Sequence, residues 1–200
     1  MVYPLSACEP TVRPEAAMSA SRKMLLGVGR LDRQKGFDYL VEAFGRLALE
    51  KPDWDLVILG EGPMRASLEA QSQALGLDGR IHLPGRAGNV GEWYRRADLY
   101  AMSSRFEGFP NTLGEAMAHG CAVVSYDCDT GPRDLIRDRE NGLLVRPVGD
   151  VDALAKALGA LMSDESQRER IAKRAVEVRQ RYSMERVLDV WKRLFEEITS

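Results

Sequence analysis

Leu99-Tyr100-Ala101-Met102-Ser103-Ser104, followed closely by Glu107-Gly108-Phe109-Pro110-Asn111-Thr112-Leu113-Gly114-Glu115, reads as a strand, a tight loop and the start of a helix. The first part is an apolar run that ends in small polar residues, and the second carries a glycine–proline turn between two carboxylates. A strand, a loop and a helix N-terminus in that order form an anion site, because backbone N–H groups and the positive end of the helix dipole converge there. A phosphate suits such a spot. A carboxylate suits it only where neutral hydroxyls donate to it. Glu107 and Glu115 on either side of the cradle therefore point to a ligand with both phosphate and sugar hydroxyls, such as a nucleotide sugar. A capped surface turn with two solvated acids accounts for this segment equally well, since short motifs often match by chance.

Working outward, further short apolar runs appear at Met24-Leu25-Leu26-Gly27-Val28, Asp55-Leu56-Val57-Ile58-Leu59, Arg80-Ile81-His82-Leu83, Ala122-Val123-Val124-Ser125 and Gly142-Leu143-Leu144-Val145. Between them, Phe37, Leu40, Val41, Phe44 and Leu47 recur at helical spacing. Helical patterns also cover 64–75, 92–96, 114–119, 151–162, 165–181 and 184–198, with Asp150 and Ser163 as N-caps of the two that begin at 151 and 165. Continuous apolar strands alternating with helices predict an α/β, Rossmann-like parallel sheet of about six strands with helices on both faces. Residues 1–22, rich in Pro, Ser and Ala, read as a linker or disordered segment. Residues 23–182 form the domain, and 183–200 a C-terminal amphipathic helix carrying Val187, Val190, Trp191, Leu194 and Phe195. Open parallel sheets bind ligands at the carboxyl ends of their strands. Five unusual loops fall there: 29–36, 60–63, 84–86, 103–112 and 127–132.

Composition narrows the partners. The chain has 200 residues, 44% hydrophobic and 29% charged, with a formal net charge of −2, so no global basic field points to nucleic acid. No apolar run approaches the length of a membrane span. Cys8, Cys121 and Cys128 lack metal-ligand spacing, and an odd, sparse count fits reduced thiols in the cytosol. Met1-Val2-Tyr3-Pro4-Leu5-Ser6 lacks the regions of a signal peptide, which makes the expected location cytoplasmic.

The loops differ in what they can do. Gly29 and Gly36 bracket Arg30 and Lys35, two cations that could grip a diphosphate without a metal, Arg in a bidentate way. A solvated basic turn explains them as well. Gly60-Glu61-Gly62-Pro63 lets the backbone turn sharply or approach a ligand, and Pro63 fits a first helical turn. No third glycine completes a dinucleotide fingerprint after the first strand. Asp127-Cys128-Asp129 has the spacing of a divalent-cation pair, but with Arg30 and Lys35 present no metal is required, and Asp127 is expected to brace its loop through backbone N–H groups. His82 and His119 are expected to be structural.

Together these segments resemble the C-terminal, donor-binding domain of GT-B retaining glycosyltransferases of glycosyltransferase family four. The matching pieces are Gly29-Arg30-Leu31 with Lys35-Gly36, Gly60-Glu61-Gly62-Pro63, the segment from Glu107 to Glu115, and Asn141-Gly142-Leu143-Leu144-Val145, over roughly residues 23–198. The resemblance implies that Arg30 and Lys35 neutralise the donor diphosphate, that Glu107 holds sugar hydroxyls, and that these three residues are catalytic. It implies that Phe109, Pro110, Asn111, Thr112 and Leu113 cradle the phosphates next to Gly108, that Glu115 accepts from the ribose, and that Gly85-Arg86 lines the base beside Gly29, Gly60 and Gly62. It implies front-face transfer that retains the anomeric configuration, with no cofactor and no metal. The run from Ser125 to Asp134 looks like the subgroup that builds bacterial capsule, exopolysaccharide or lipopolysaccharide glycans from UDP-sugars of galactose, N-acetylgalactosamine or N-acetylglucosamine. The acceptor implied is a glycan or a lipid-linked sugar, and the full enzyme would sit at the inner face of the membrane as a peripheral protein. Full enzymes add an N-terminal acceptor-binding domain that this chain does not supply. The chain is then an inactive half alone, and its last helix would pack toward the missing half. The rival classes are a non-catalytic nucleotide or nucleotide-sugar binding module and a flavodoxin-like signalling or oligomerisation domain.

Overall fold

The computed structural model describes residues 12–199. In chain order the elements are α1 (Pro14–Ala17), β1 (Lys23–Val28), a 3-10 turn (Arg33–Lys35), α2 (Phe37–Leu47), β2 (Trp54–Leu59), α3 (Arg65–Ala74), β3 (Ile81–Gly85), α4 (Val90–Arg96) and β4 (Leu99–Met102). There follow α5 (Asn111–Ala118), β5 (Val123–Tyr126), α6 (Pro132–Leu135), β6 (Leu143–Val145), α7 (Val151–Ser163), α8 (Glu165–Ala175), α9 (Val178–Arg181) and α10 (Met184–Thr199). The six strands form one sheet in the order β3-β2-β1-β4-β5-β6, every pair parallel.

Alternate strand residues feed two separate cores, as the two-residue period of a strand requires. Leu25, Leu56, Ile58, Leu99, Ala101 and Val124 pack with Phe37, Leu40, Val41, Phe44 and Leu47 of α2 and with Leu154, Leu158 and Leu161 of α7. Met24, Leu26, Val57, Leu59, Tyr100, Met102 and Val123 face the other way, onto Trp93 and Tyr94 of α4 and Leu113, Ala116 and Met117 of α5. Burial on both faces is why the inner strands read as largely apolar runs, all six residues of β2 being buried, while the edge strands β3 and β6 are half-buried in part.

Three sequence expectations need correction. Residues 12–22, read as a linker, pack on the body: Pro14 and Met18 are buried, Trp93 Nε1 donates to Val12 O at 3.0 Å, and Arg22 pairs with the buried Asp55 at 2.8 Å. Residues 1–11, which include Cys8, lie outside the described residues. Ser163 is the last residue of α7 and its Oγ donates to Gly159 O; the N-cap of α8 is Asp164, whose carboxylate accepts from Gln167 N. The helix expected over 165–181 breaks after Ala175, where the N–H groups of Glu177 and Arg179 donate three residues back, to Arg174 O and Val176 O. That tightening turns Arg179 and Arg181 onto the carbonyls of Ala118 and Leu135. As expected, Asp150 caps α7.

The strand order places the two strands with diverging connections, β1 and β4, side by side. The loop after β1 makes a left-handed turn at Gly36 (φ 62°), and a Cβ added there would lie 2.1 Å from Ser103 O in the loop after β4. Gly76, also left-handed (φ 67°), has no atom within 4 Å of such a Cβ. Gly76→Ala should therefore cost only the conformational strain, about 1 kcal/mol. Gly36→Ala should cost about 3 kcal/mol or more, because backbone must move as well. Urea midpoints measured on both variants decide this; equal shifts would show that the two loops are not locked at Gly36.

Candidate active site

The loops after β1 and β4 are stitched together by side chains of both. Ser103 Oγ donates to Lys35 O (3.0 Å) and Gln34 Nε2 to Phe106 O (3.1 Å). Arg105 reaches back to Arg33 O (2.7 Å) and grips Asp38 with both terminal nitrogens (2.9 and 2.6 Å), its guanidinium lying 4.0 Å over the Tyr39 ring. Burial raises the Asp38 pKa, but the hydrogen bonds and charge of Arg105 outweigh it and leave the carboxyl below its usual range.

At the centre of this seam lies Glu107, 8% exposed. Its Oε1 accepts from Lys35 Nζ at 2.7 Å and from Ser104 Oγ at 2.6 Å. The backbone of Glu107 is fixed as well, by Thr130 N donating to Glu107 O (2.7 Å) and by Glu107 N donating to Asp129 O (2.8 Å). A charge this buried persists only when paired and hydrogen-bonded, and here a lysine and a hydroxyl do both. Lys35 keeps further N–H donors for a second anion, since an ammonium carries three.

Arg30 stands differently. Its side chain is 72% exposed and pairs loosely with Asp32 at 3.1 Å, while its Nη2 donates to Gln34 Oε1 at 3.2 Å. It lines a cavity of about 250 Å³ with Gly29, Gly60, Glu61, Arg86 and Val90. Glu61, on the rim, is forked by Arg65 at 2.9 and 2.8 Å, which holds its carboxyl below the usual range with help from Arg86. Gly60 (φ 145°) passes so close to the loop after β1 that a Cβ would meet Gly29 O at 1.8 Å, and one on Gly62 would meet Leu31 O at 2.4 Å. The close approach read into these glycines is thus to neighbouring backbone.

At the start of α5, Pro110 has no N–H to offer. The amides of Asn111 and Leu113 donate to Phe109 O (2.9 Å) and Pro110 O (3.1 Å). Of the five residues expected to cradle phosphates, Phe109 and Thr112 have amides with no hydrogen-bond acceptor among the described residues. Thr130 Oγ1 donates to Gly108 O at 2.9 Å and Tyr100 OH to Thr112 Oγ1 at 2.9 Å, holding the turn from both ends. Glu115, one turn into α5, borders a different cavity of about 360 Å³ with Phe109, Asn111, His119 and Tyr182, and accepts from Tyr94 OH. The structure so brings Lys35, Glu107 and the Arg30 loop together directly, while Glu115 and Arg86 stand on either flank. A larger cavity, about 540 Å³, lies elsewhere, between β6 and α7.

Asp127 does brace its loop, but through Arg133 Nε at 2.9 Å and through Arg146, not through backbone N–H groups. A carboxylate already shared by two guanidinium groups is a poor cation ligand. Among the described residues no three His, Cys, Asp or Glu side chains are placed to hold a metal ion. His82 bonds Asp55 at 3.2 Å, and His119 Nδ1 lies 2.8 Å from Glu115 O. Cys121 and Cys128 are buried free thiols whose pKa values burial pushes up to about 12 and about 11. Ser104, Gln34, Arg105, Tyr94 and Thr130 were not singled out in the sequence. Only Ser104 left a signal there, as a small polar residue at the carboxyl end of a strand.

The model of the family described as Glycosyl transferases group 1 matches residues 9–178. An exopolysaccharide phosphotransferase of Streptomyces coelicolor is 35% identical over 98% of this chain and 21% of its own length. The crystal structure of the C-terminal domain of a glycosyl transferase group 1 family protein from Francisella tularensis superposes with TM-score 0.72 at 30% identity, covering 80% of this chain and 85% of that one. The pneumococcal O-GlcNAc transferase in complex with UDP and GlcNAc gives TM-score 0.77 at 26% identity, covering 94% and 38%. Other curated relatives bear names of glycan-lipid and lipopolysaccharide glycosyltransferases. The chain spans 21% to 50% of the length of the curated relatives it matches.

Removing one member of the Lys35–Glu107 pair strands the other in a buried place. Lys35→Met should destabilise the fold by about 3 kcal/mol, and adding Glu107→Gln should restore at least half of that, because the uncompensated charge is then gone. Denaturant unfolding of the single and double variants checks it; additive losses would show that the pair is not coupled.

Proposed function

Because the chain belongs to the group 1 glycosyl transferases, we propose that it is the donor half of a retaining, family-four enzyme that moves a hexosyl or N-acetylhexosaminyl group from a UDP-sugar to a glycan or lipid-linked acceptor. The observation that carries this reading is the Lys35–Glu107–Ser104 cluster at the point where β1 and β4 send their connections to opposite sides of the sheet. Ligands of open parallel sheets bind at that crevice. The UDP in the pneumococcal relative supports uridine as the nucleotide.

In this reading the diphosphate lies between Arg30, Lys35 and the amides of Phe109 and Thr112. Negative charge grows on it as the glycosidic bond breaks, so cations and N–H donors fixed beforehand stabilise the transition state more than the ground state. Both donors to Glu107 fall on Oε1, which turns Oε2 toward the sugar hydroxyls. Glu115 takes the ribose hydroxyls, and the base enters beside Gly85-Arg86, Gly29, Gly60 and Gly62. Attack comes from the face the leaving group departs from, which preserves the anomeric configuration. Two guanidinium or ammonium groups neutralise the diphosphate, so neither a metal nor a cofactor is invoked.

The acceptor belongs to a further N-terminal domain, and the chain alone transfers nothing. Met184, Val190, Trp191 and Phe195 of α10 are exposed by half or more, with Trp191 and Phe195 stacked at 5.7 Å. They are not core residues of this domain, and they offer the apolar face that would pack on that other half. No helix among the described residues is long and apolar enough to cross a membrane, so contact with lipid-linked acceptors at the inner face of the membrane would be peripheral. A module that only binds the nucleotide sugar is the alternative.

Calorimetric titration should show UDP binding to the chain. Glu115→Ala should weaken it by about 10- to 100-fold, the worth of hydrogen bonds to a charged acceptor. Glu107→Ala should leave UDP affinity within a few-fold and remove most of the added affinity of the sugar. Undiminished UDP affinity in Glu115→Ala would refute the ribose role. Sugar transfer that appears on co-expression with an upstream domain would separate the enzyme from the binding module.

A further inference from the structure

Glu115 is held by a side chain that no motif announces. Tyr94, on α4, is 2% exposed, and its hydroxyl donates to Glu115 Oε2 at 3.1 Å. The phenol has little freedom. Its ring meets Tyr100 edge-on at 6.0 Å and lies 5.2 Å from the His119 imidazole, tilted by 31°. Its own carbonyl accepts from Cys121 Sγ at 3.0 Å. His119 in turn is fixed by its Nδ1 at 2.8 Å from the Glu115 carbonyl. Donor, ring and acceptor backbone thus form one packed unit behind the carboxylate.

We infer that Tyr94 is a positioning residue that makes Glu115 selective for a ribose: by fixing Oε2 it sets the carboxylate's rotation and presents Oε1 to the vicinal hydroxyls. This rests on the ribose role proposed above for Glu115. The chemistry of the pair suits the task. A neutral phenol donates without cancelling the carboxylate's charge, as an arginine or lysine would, so Glu115 keeps its full strength as an acceptor. Burial, reinforced by the Glu115 charge, raises the Tyr94 pKa well above that of a free phenol, so the hydroxyl stays a donor wherever the protein is folded. A glutamate with a free rotor would have to be ordered by the ligand itself, and ordering done in advance raises affinity without any new contact.

The test separates selectivity from general loosening. UDP and 2′,3′-dideoxy-UDP are titrated calorimetrically into the wild type, Tyr94→Phe, Glu115→Ala and the double variant. Phe fills the same space, so the packing stays. The wild type should prefer the ribonucleotide by about tenfold or more, and Tyr94→Phe should bring that ratio to about threefold or less with dideoxy affinity changed by less than about twofold. In the Glu115→Ala background Tyr94→Phe should leave the ratio unchanged. An equal loss for both nucleotides in Tyr94→Phe would show a merely structural role and overturn the inference, as would an undiminished ratio. A wild type that does not discriminate the two nucleotides would instead overturn the ribose role of Glu115.

Discussion

A parallel sheet in the order β3-β2-β1-β4-β5-β6 has one place where neighbouring strands hand their chains to opposite faces, between β1 and β4. The loops that leave there diverge, and beyond the sheet a backbone bond from Arg105 N to Gln34 O (2.8 Å) helps to tie them together. The Lys35–Glu107 ion pair does so, with Ser104 on the same carboxylate oxygen. Around it, Gln34, Ser103 and Arg105 each bond a carbonyl of the opposite loop. Glu107 is buried and charged, and that is tolerable only because a lysine from the other loop meets it. The crevice that the topology opens is in this way rigid, and rigidity matters more than the existence of the crevice. A cation whose position is set before the ligand arrives needs no reorganisation when charge develops.

The two glutamates that flank the cradle are kept in place by opposite means. Glu107 is paired with an ammonium, which offsets its charge. Glu115 is held by a phenol, a neutral donor that leaves its charge uncancelled. Glu61, on the other flank, is answered by the Arg65 fork. Two of the three acids are thus answered by cations, and the third by a neutral donor.

The fold was legible because burial on both faces of a parallel strand leaves an apolar run that needs no partner to be recognised, as at 55–59. The helix at 37–47 was legible for a similar reason, its apolar residues falling on one face. What failed was local. Ser163 and Asp164 are both good caps, and only the geometry of the α7 exit decides between them. The break after Ala175 has no glycine or proline to mark it, and it shows only in the tightened turn and in the distant carbonyls that Arg179 and Arg181 reach. Residues 12–22 look featureless, yet a carbonyl at Val12 and the guanidinium of Arg22 tie them down. In the site, the convergence of Lys35 and Glu107 at one sheet edge was expected, but the direct ion pair between them, 72 residues apart in the chain, was not. Tyr94 was invisible for the same reason. A tyrosine at a helical position reads as core, and this one is core at the ring and site at the oxygen.

Arg30 is the counterpoint to the buried Lys35–Glu107 pair. Its guanidinium is 72% exposed, and a charge in contact with bulk water and salt attracts an anion weakly. The same charge in a water-excluded cleft would act several-fold more strongly, because the effective dielectric falls. The cavity it lines, with Gly60 and Arg86, is open on one side. A second protein surface closing over that side would raise the strength of Arg30 and of Lys35 together without moving either. Burial of the exposed apolar side chains of α10, Trp191 and Leu194 among them, against any other surface would release free energy at about 25 cal/mol per Å².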